Sequence, residues 1–321
     1  MLTIADLEAA SELVYETMGG PTPAYAWPLL ARRTGCEVWV KHENHTPIGA
    51  FKVRGGLVYM DHLATSGETV AGVISATRGN HGQSIALAAG KAGLRAVIYV
   101  PEGNSVEKNA AMTAFGAELV VHGRDFDAAA AAARQAAVEQ GLHMIPSFDP
   151  LLVKGVATYS LEFFRQQPGL DTVYVPIGMG SGICGMIAAR DALGLTTDIV
   201  GVVAEGAPAI ALSVEAGRPV PTNEARTFAD GMACREPHPV ALDIIRRGAA
   251  RIVRVSDDAI AEAIRIYYQD THNLAEGAGA APLAALISEK AALGGKKVGV
   301  VLSGGNIDKS LFAKVLSGET P

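Results

Sequence analysis

Apolar residues along this chain fall into two alternating patterns. Short runs rich in valine and isoleucine occupy 70–75, 95–100, 117–121, 172–176, 199–203, 251–255 and 297–302. Their β-branched content and length predict strands. Alanine-rich or amphipathic stretches separate them, at 83–92, 126–140, 153–165, 183–193, 257–271 and 283–293. Their three-to-four-residue apolar spacing predicts helices. Strand and helix in alternation predict an α/β protein with open, twisted parallel sheets covered by helices on both faces. The strands Val97-Ile98-Tyr99-Val100 and Val298-Gly299-Val300-Val301-Leu302 are apolar throughout, as strands buried on both faces must be. The alanine run 128–133 reads as a helix with a small-residue face.

The 321 residues suffice for roughly two domains of ~150 residues. No fixed-period repeat or Pro/Ser linker marks a boundary. A formal net charge of −6 without a basic block disfavours nucleic acid as a partner. The amino end, Met1-Leu2-Thr3-Ile4-Ala5-Asp6, lacks the basic and apolar regions of a signal peptide, and no apolar run is long enough to span a membrane. A cytoplasmic protein with no membrane partner is the expectation. Cys36, Cys184 and Cys234 are far apart and suggest neither a zinc site nor a disulfide framework.

Four segments carry candidate chemistry. In Ala50-Phe51-Lys52-Val53-Arg54-Gly55-Gly56 a lysine lies between an aromatic residue and what reads as a glycine-rich turn. Burial there would lower its pKa and supply a neutral amine able to attach to an aldehyde cofactor; the alternative is an ordinary solvated lysine. Ser75-Ala76-Thr77-Arg78-Gly79-Asn80-His81-Gly82-Gln83 follows a strand and opens a helix, giving an anion site or a plain turn capped by Asn80. Pro176-Ile177-Gly178-Met179-Gly180-Ser181-Gly182 is a glycine loop in the same setting, suited to a phosphate. It also fits a loose dinucleotide motif, with Glu205 near the acidic position. Val301-Leu302-Ser303-Gly304-Gly305-Asn306 places a serine at a strand end, where open α/β sheets bind ligands.

In this order and spacing the four segments resemble the serine/threonine dehydratase and serine racemase family, the fold-type-II pyridoxal phosphate enzymes. The similarity runs from Pro21 to Asp308 and includes Pro21-Thr22-Pro23, Ala229-Asp230-Gly231 and Glu276-Gly277-Ala278-Gly279. The resemblance implies a larger domain from residues 1–45 and 146–321, a smaller inserted domain from 46–145, and the cofactor between them. It implies that Lys52 carries pyridoxal 5'-phosphate and acts as general base, and that Asn80 meets the ring hydroxyl. The backbone of Gly178, Met179, Gly180, Ser181 and Gly182 would cradle the phosphate, with Ser303 facing the ring nitrogen. Ser75, Thr77, Arg78 and His81 are expected to face the substrate, though His81 also reads as a packed loop residue. The implied reaction is α,β-elimination that converts a β-hydroxy-α-amino acid of serine or threonine type to a 2-oxo acid and ammonia, in a homodimer or higher homo-oligomer. A binder without turnover and a nicotinamide-dependent oxidoreductase are the rivals from other classes.

The chain departs from the family pattern in three places. Arg78 stands where racemases carry a proton-shuttling serine; a guanidinium stays protonated, so little racemase activity is expected. It either tethers its loop or binds a second carboxylate, which would turn the preference toward 3-hydroxyaspartate. Met179 and Ser181 interrupt the loop glycines, and Met179 must find a tolerated backbone conformation. Val203 and Ala209 occupy the positions of the acidic residues that hold a divalent cation in many members, so no metal is expected there.

Overall fold

The computed structural model describes residues 2–67 and 69–321; Met1, part of the amino-terminal segment read above, lies outside the described residues. From the amino end the chain forms α1 (Ile4–Met18), β1 (Ala24–Ala26), α2 (Pro28–Thr34), β2 (Glu37–His42), α3 (Lys52–Thr65), β3 (Val73–Ala76), α4 (Asn80–Lys91), β4 (Ala96–Val100), α5 (Val106–Ala114), β5 (Glu118–Val121), α6 (Phe126–Gln140) and β6 (His143–Met144). It continues through α7 (Pro150–Gln166), β7 (Thr172–Pro176), α8 (Ser181–Ala192), β8 (Asp198–Ala204), α9 (Ala209–Ala216), α10 (Pro239–Gly248), β9 (Arg251–Val255), α11 (Asp257–Thr271), α12 (Gly277–Glu289), β10 (Lys297–Leu302) and α13 (Lys309–Leu316).

Two sheets result. The larger has the order β1-β2-β10-β7-β8-β9 and takes strands from both ends of the chain. All its pairings are parallel except that of β1 with β2. The smaller, β5-β4-β3-β6, is parallel throughout. Separate apolar clusters fill the faces of each. Leu30, Val40, Tyr174, Tyr267 and Leu286 are among those on one face of the large sheet, and Phe163, Val173, Ile183 and Ile199 among those on the other. Ile85, Ile98 and Met112 pack on one face of the small sheet, and alanines of α6 on the other. No helix among the described residues is long and apolar enough to cross a membrane.

Several elements differ from their sequence patterns. The strand expected over 70–75 is Val73–Ala76, and the helix expected from 283 begins at Gly277. Two glycines and Pro282 disguise the start of α12, but every residue from Gly277 to Leu286 is buried, and tertiary packing overrides the poor local propensity. The segment after Lys52 is helix rather than a turn. Gly55 and Gly56 serve close approach instead. A Cβ on Gly55 would stand 2.9 Å from the Leu152 carbonyl oxygen, and one on Gly155 would stand 2.2 Å from that of Arg54. Glycines on both helices therefore let α3 cross α7 almost backbone to backbone.

Candidate active site

The carboxyl ends of β3, β7 and β10 converge on one cleft, the place where open α/β sheets bind ligands. Lys52, Thr77, Arg78, Asn80, His81, the loop Gly178–Gly182 and Ser303 all line it. Ser75 does not. It points to the other side of β3, where its hydroxyl donates to the Ile145 carbonyl at 2.9 Å. Strand alternation explains this: Ser75 and Ala76 face opposite sides of the sheet. Glu205, the acidic residue a dinucleotide would need, is exposed at the end of β8 and lies outside the cleft lining.

Lys52 opens α3. Its Nζ donates to Ser181 Oγ at 3.1 Å and lies 5.1 Å from the centre of the Phe51 ring. Burial of the amine, with no carboxylate beside it, pulls its pKa down to about 8. Two residues further on, Arg54 is wholly buried and anchors the helix. Its Nε and Nη2 fork onto Glu43 at 2.7 and 3.0 Å, and its Nη1 and Nη2 fork onto Glu162 at 2.5 and 3.0 Å. Lys41 donates to the same Glu162 at 2.6 Å. Two cations thus meet two anions inside the protein, and the helix carrying Lys52 is fixed from below.

The β7–α8 loop gives the cleft an anion cradle. Gly180 adopts a left-handed conformation (φ 102°), and α8 begins at Ser181 with its first backbone N–H groups directed at the loop. Met179 needs no unusual backbone, because among the described residues His272 is the one non-glycine with positive φ. A Cβ on Gly178 would stand 2.2 Å from the Gly231 carbonyl oxygen. On the opposite wall Asn80 heads α4. Its amide donates to Glu276 Oε1 at 2.6 Å and accepts from Asn306 Nδ2 at 2.8 Å. Thr77 Oγ1 accepts from the backbone N–H groups of Gly79 and Gly82 at 2.9 and 3.3 Å, so it caps the loop it belongs to. His81 Nε2 is buried without a hydrogen-bond partner. Burial, reinforced by the nearby Lys52 charge, pushes this imidazole down to about 3, so it is neutral near pH 7.

A cation in the cleft wall escaped the sequence reading. Lys108 of α5 is buried and donates to Asp230 Oδ2 at 2.7 Å and Glu276 Oε2 at 3.3 Å. Burial works against its charge, but the two carboxylates outweigh that and raise its pKa. Burial raises the pKa of Glu276 despite the ammonium beside it. Its sequence context, Ser105-Val106-Glu107-Lys108-Asn109, is that of a solvated helix, and only the fold turns Lys108 inward.

This constellation fits pyridoxal phosphate. An anion cradle, a neutralisable amine bonded to that cradle, an amide opposite and a buried serine, Ser303, surround one space. The orphaned His81 Nε2 is a further polar atom awaiting a partner.

Comparison with known proteins agrees. Residues 15–304 match the family described as pyridoxal-phosphate dependent enzyme. The chain is 32% identical to an L-threonine ammonia-lyase of Thermotoga maritima over 318 residues, 99% of this chain and 79% of that protein. It is 31% identical to an L-threo-3-hydroxyaspartate ammonia-lyase of Saccharomyces cerevisiae, covering 99% and 97% of the two chains. Its fold is similar to that of the processed threonine deaminase isoform 2 of Solanum lycopersicum, with a TM-score of 0.91, 30% identity, and 98% and 91% of the two chains covered. With the cleft, the two sheets and these relatives in agreement, the chain belongs to the family of pyridoxal-phosphate-dependent enzymes.

Proposed function

We propose that the protein is a pyridoxal-phosphate-dependent ammonia-lyase of β-hydroxy-α-amino acids, with threonine and serine as its simplest substrates. One observation supports this above the others: the amine of Lys52, with a pKa near 8, bonds to Ser181, the cradle serine that opens α8, inside a cleft that also holds Asn80 and Ser303. Ammonia-lyases and a deaminase among the relatives support the same reading.

The cofactor supplies an electron sink that acidifies the Cα–H bond of a bound amino acid. The chain supplies placement and proton transfer. Lys52 would hold the cofactor and, once released, take the Cα proton on Nζ; a pKa near 8 matches that task at neutral pH. The α8 amino terminus and the Gly178–Gly182 backbone would fix the phosphate. Asn80, gripped by Glu276 and Asn306, has no freedom to swing and would orient the ring. Ser303 is neutral, so it would leave the ring nitrogen without an anionic partner to hold it protonated and keep the sink shallow, favouring prompt loss of the β-hydroxyl. Removing Cα–H and Cβ–OH leaves an enamine. Water returns on its hydrolysis, and the net products are a 2-oxo acid and ammonia.

The test is 2-oxo acid release from threonine or serine by the purified protein loaded with cofactor. Stoichiometric 2-oxo acid and ammonia are expected. Absence of both with every β-hydroxy amino acid would overturn the proposal.

A further inference from the structure

We infer that Arg78 selects substrates bearing a second anionic group on the β-carbon, making 3-hydroxyaspartate the preferred class; this rests on the ammonia-lyase reading above. Most arginines of the chain are engaged. Arg54, Arg95, Arg190, Arg251 and Arg265, for example, all pair with carboxylates. Arg78 has no hydrogen bond or ion pair among the described residues, yet it lines the cleft and is exposed to it. A tethering arginine would be tied to its own loop. That loop is held instead by Thr77, whose hydroxyl receives the Gly79 and Gly82 N–H groups.

The carboxylates lining the cleft are already matched. Asp230 and Glu276 share Lys108, and Lys52 is bonded to Ser181. The carboxylate common to all α-amino acids has its own donors nearby. Asn80 and His81 are the first residues of α4, so their N–H groups have no partner one turn back. A helix start accommodates one carboxylate in this way. Arg78, two residues earlier, remains as a free planar fork. A guanidinium binds a carboxylate through two parallel hydrogen bonds, a geometry that a hydroxymethyl or hydroxyethyl side chain cannot satisfy.

The experiment compares wild-type and Arg78→Ala holoenzyme by kcat/KM for each stereoisomer of 3-hydroxyaspartate and for threonine. The wild type should favour one hydroxyaspartate isomer over threonine by at least about tenfold, and the substitution should lower that ratio by about 10- to 100-fold. Arg78→Lys, which keeps the charge but loses the fork, should recover part of it. Aspartate, which has no hydroxyl to lose, should compete against threonine turnover more strongly than alanine in the wild type, and the advantage should vanish in Arg78→Ala. That second measurement needs no turnover of the dicarboxylate. An unchanged ratio, as when both substrates suffer equally because Arg78 holds the shared α-carboxylate, overturns the inference. So does a wild type that prefers threonine, which leaves the ammonia-lyase reading intact. A wild type inactive on all of them overturns both.

Discussion

Lys52 and Lys108 face the same cleft in opposite electrostatic settings. Lys52 has no carboxylate beside it and is pulled down to about 8, whereas two carboxylates hold Lys108 above the usual lysine value. Only the first is a usable nucleophile near neutrality. Covalent attachment of added pyridoxal phosphate to the cofactor-free protein should therefore accelerate about tenfold per pH unit below 8 and level off above it, followed by absorbance in stopped flow. A rise that continues toward pH 10.5 would mean a solvated amine. Lys108 is structural as well as electrostatic, for its stem leaves no room for a Cβ on Gly79. Lys108→Met should leave Asp230 and Glu276 facing each other uncompensated, at a cost of about 3–5 kcal/mol in urea unfolding. Adding Glu276→Gln should restore part of the loss; strict additivity would show that the groups act independently.

At the scale of elements, the crossing of α3 over α7 places Lys52. Gly155→Ala would drive a methyl group into the Arg54 carbonyl and push α3 outward. The expected cost is about 1–3 kcal/mol, with weaker cofactor binding measured by titration. Gly294→Ala, where a Cβ meets nothing within 4 Å, is the control and should change neither. Much of this level was legible in advance. The strands over 172–176, 251–255 and 297–302 and the helices over 126–140 and 257–271 stand where their patterns predict. Those elements have long periodic runs or clear caps, such as Asp125 and Ser256, whose side chains accept from Ala128 and Ala259. The pattern around Lys52 misled, because Gly55-Gly56 looks like a turn when read locally and as a helix crossing only once α7 is present. Likewise Ser75 was placed near the substrate by its motif, while strand alternation turns it away. Lys108 and the Arg54 quartet carried no local signal, since their partners lie 11 to 168 residues distant.

Across the whole molecule, the buried quartet of Lys41, Glu43, Arg54 and Glu162 joins β2, α3 and α7 beneath the cleft. Burial pushes the Glu162 carboxyl up, but Arg54 and Lys41 outweigh it and hold the group below its usual 4.5. A carboxyl depressed in the folded state stabilises fully above 4.5 and loses that contribution as pH falls through its folded value. Glu162→Gln should cost about 3–5 kcal/mol at neutral pH, and its deficit relative to wild type should shrink on acidification below 4.5, as read from urea midpoints across the range. A deficit independent of pH would remove the ionised carboxylate from the account. The division into a larger domain of residues 1–45 and 146–321 and a smaller one of 46–145, with the cofactor between them, remains our proposal. The proposed chemistry depends on Lys52 being the residue that carries the cofactor. Borohydride reduction of the loaded protein followed by peptide mass mapping tests this most directly. The account predicts the pyridoxyl group on the peptide containing Lys52 and its loss in Lys52→Ala; a tag on Lys108, on any other lysine, or on none would contradict it.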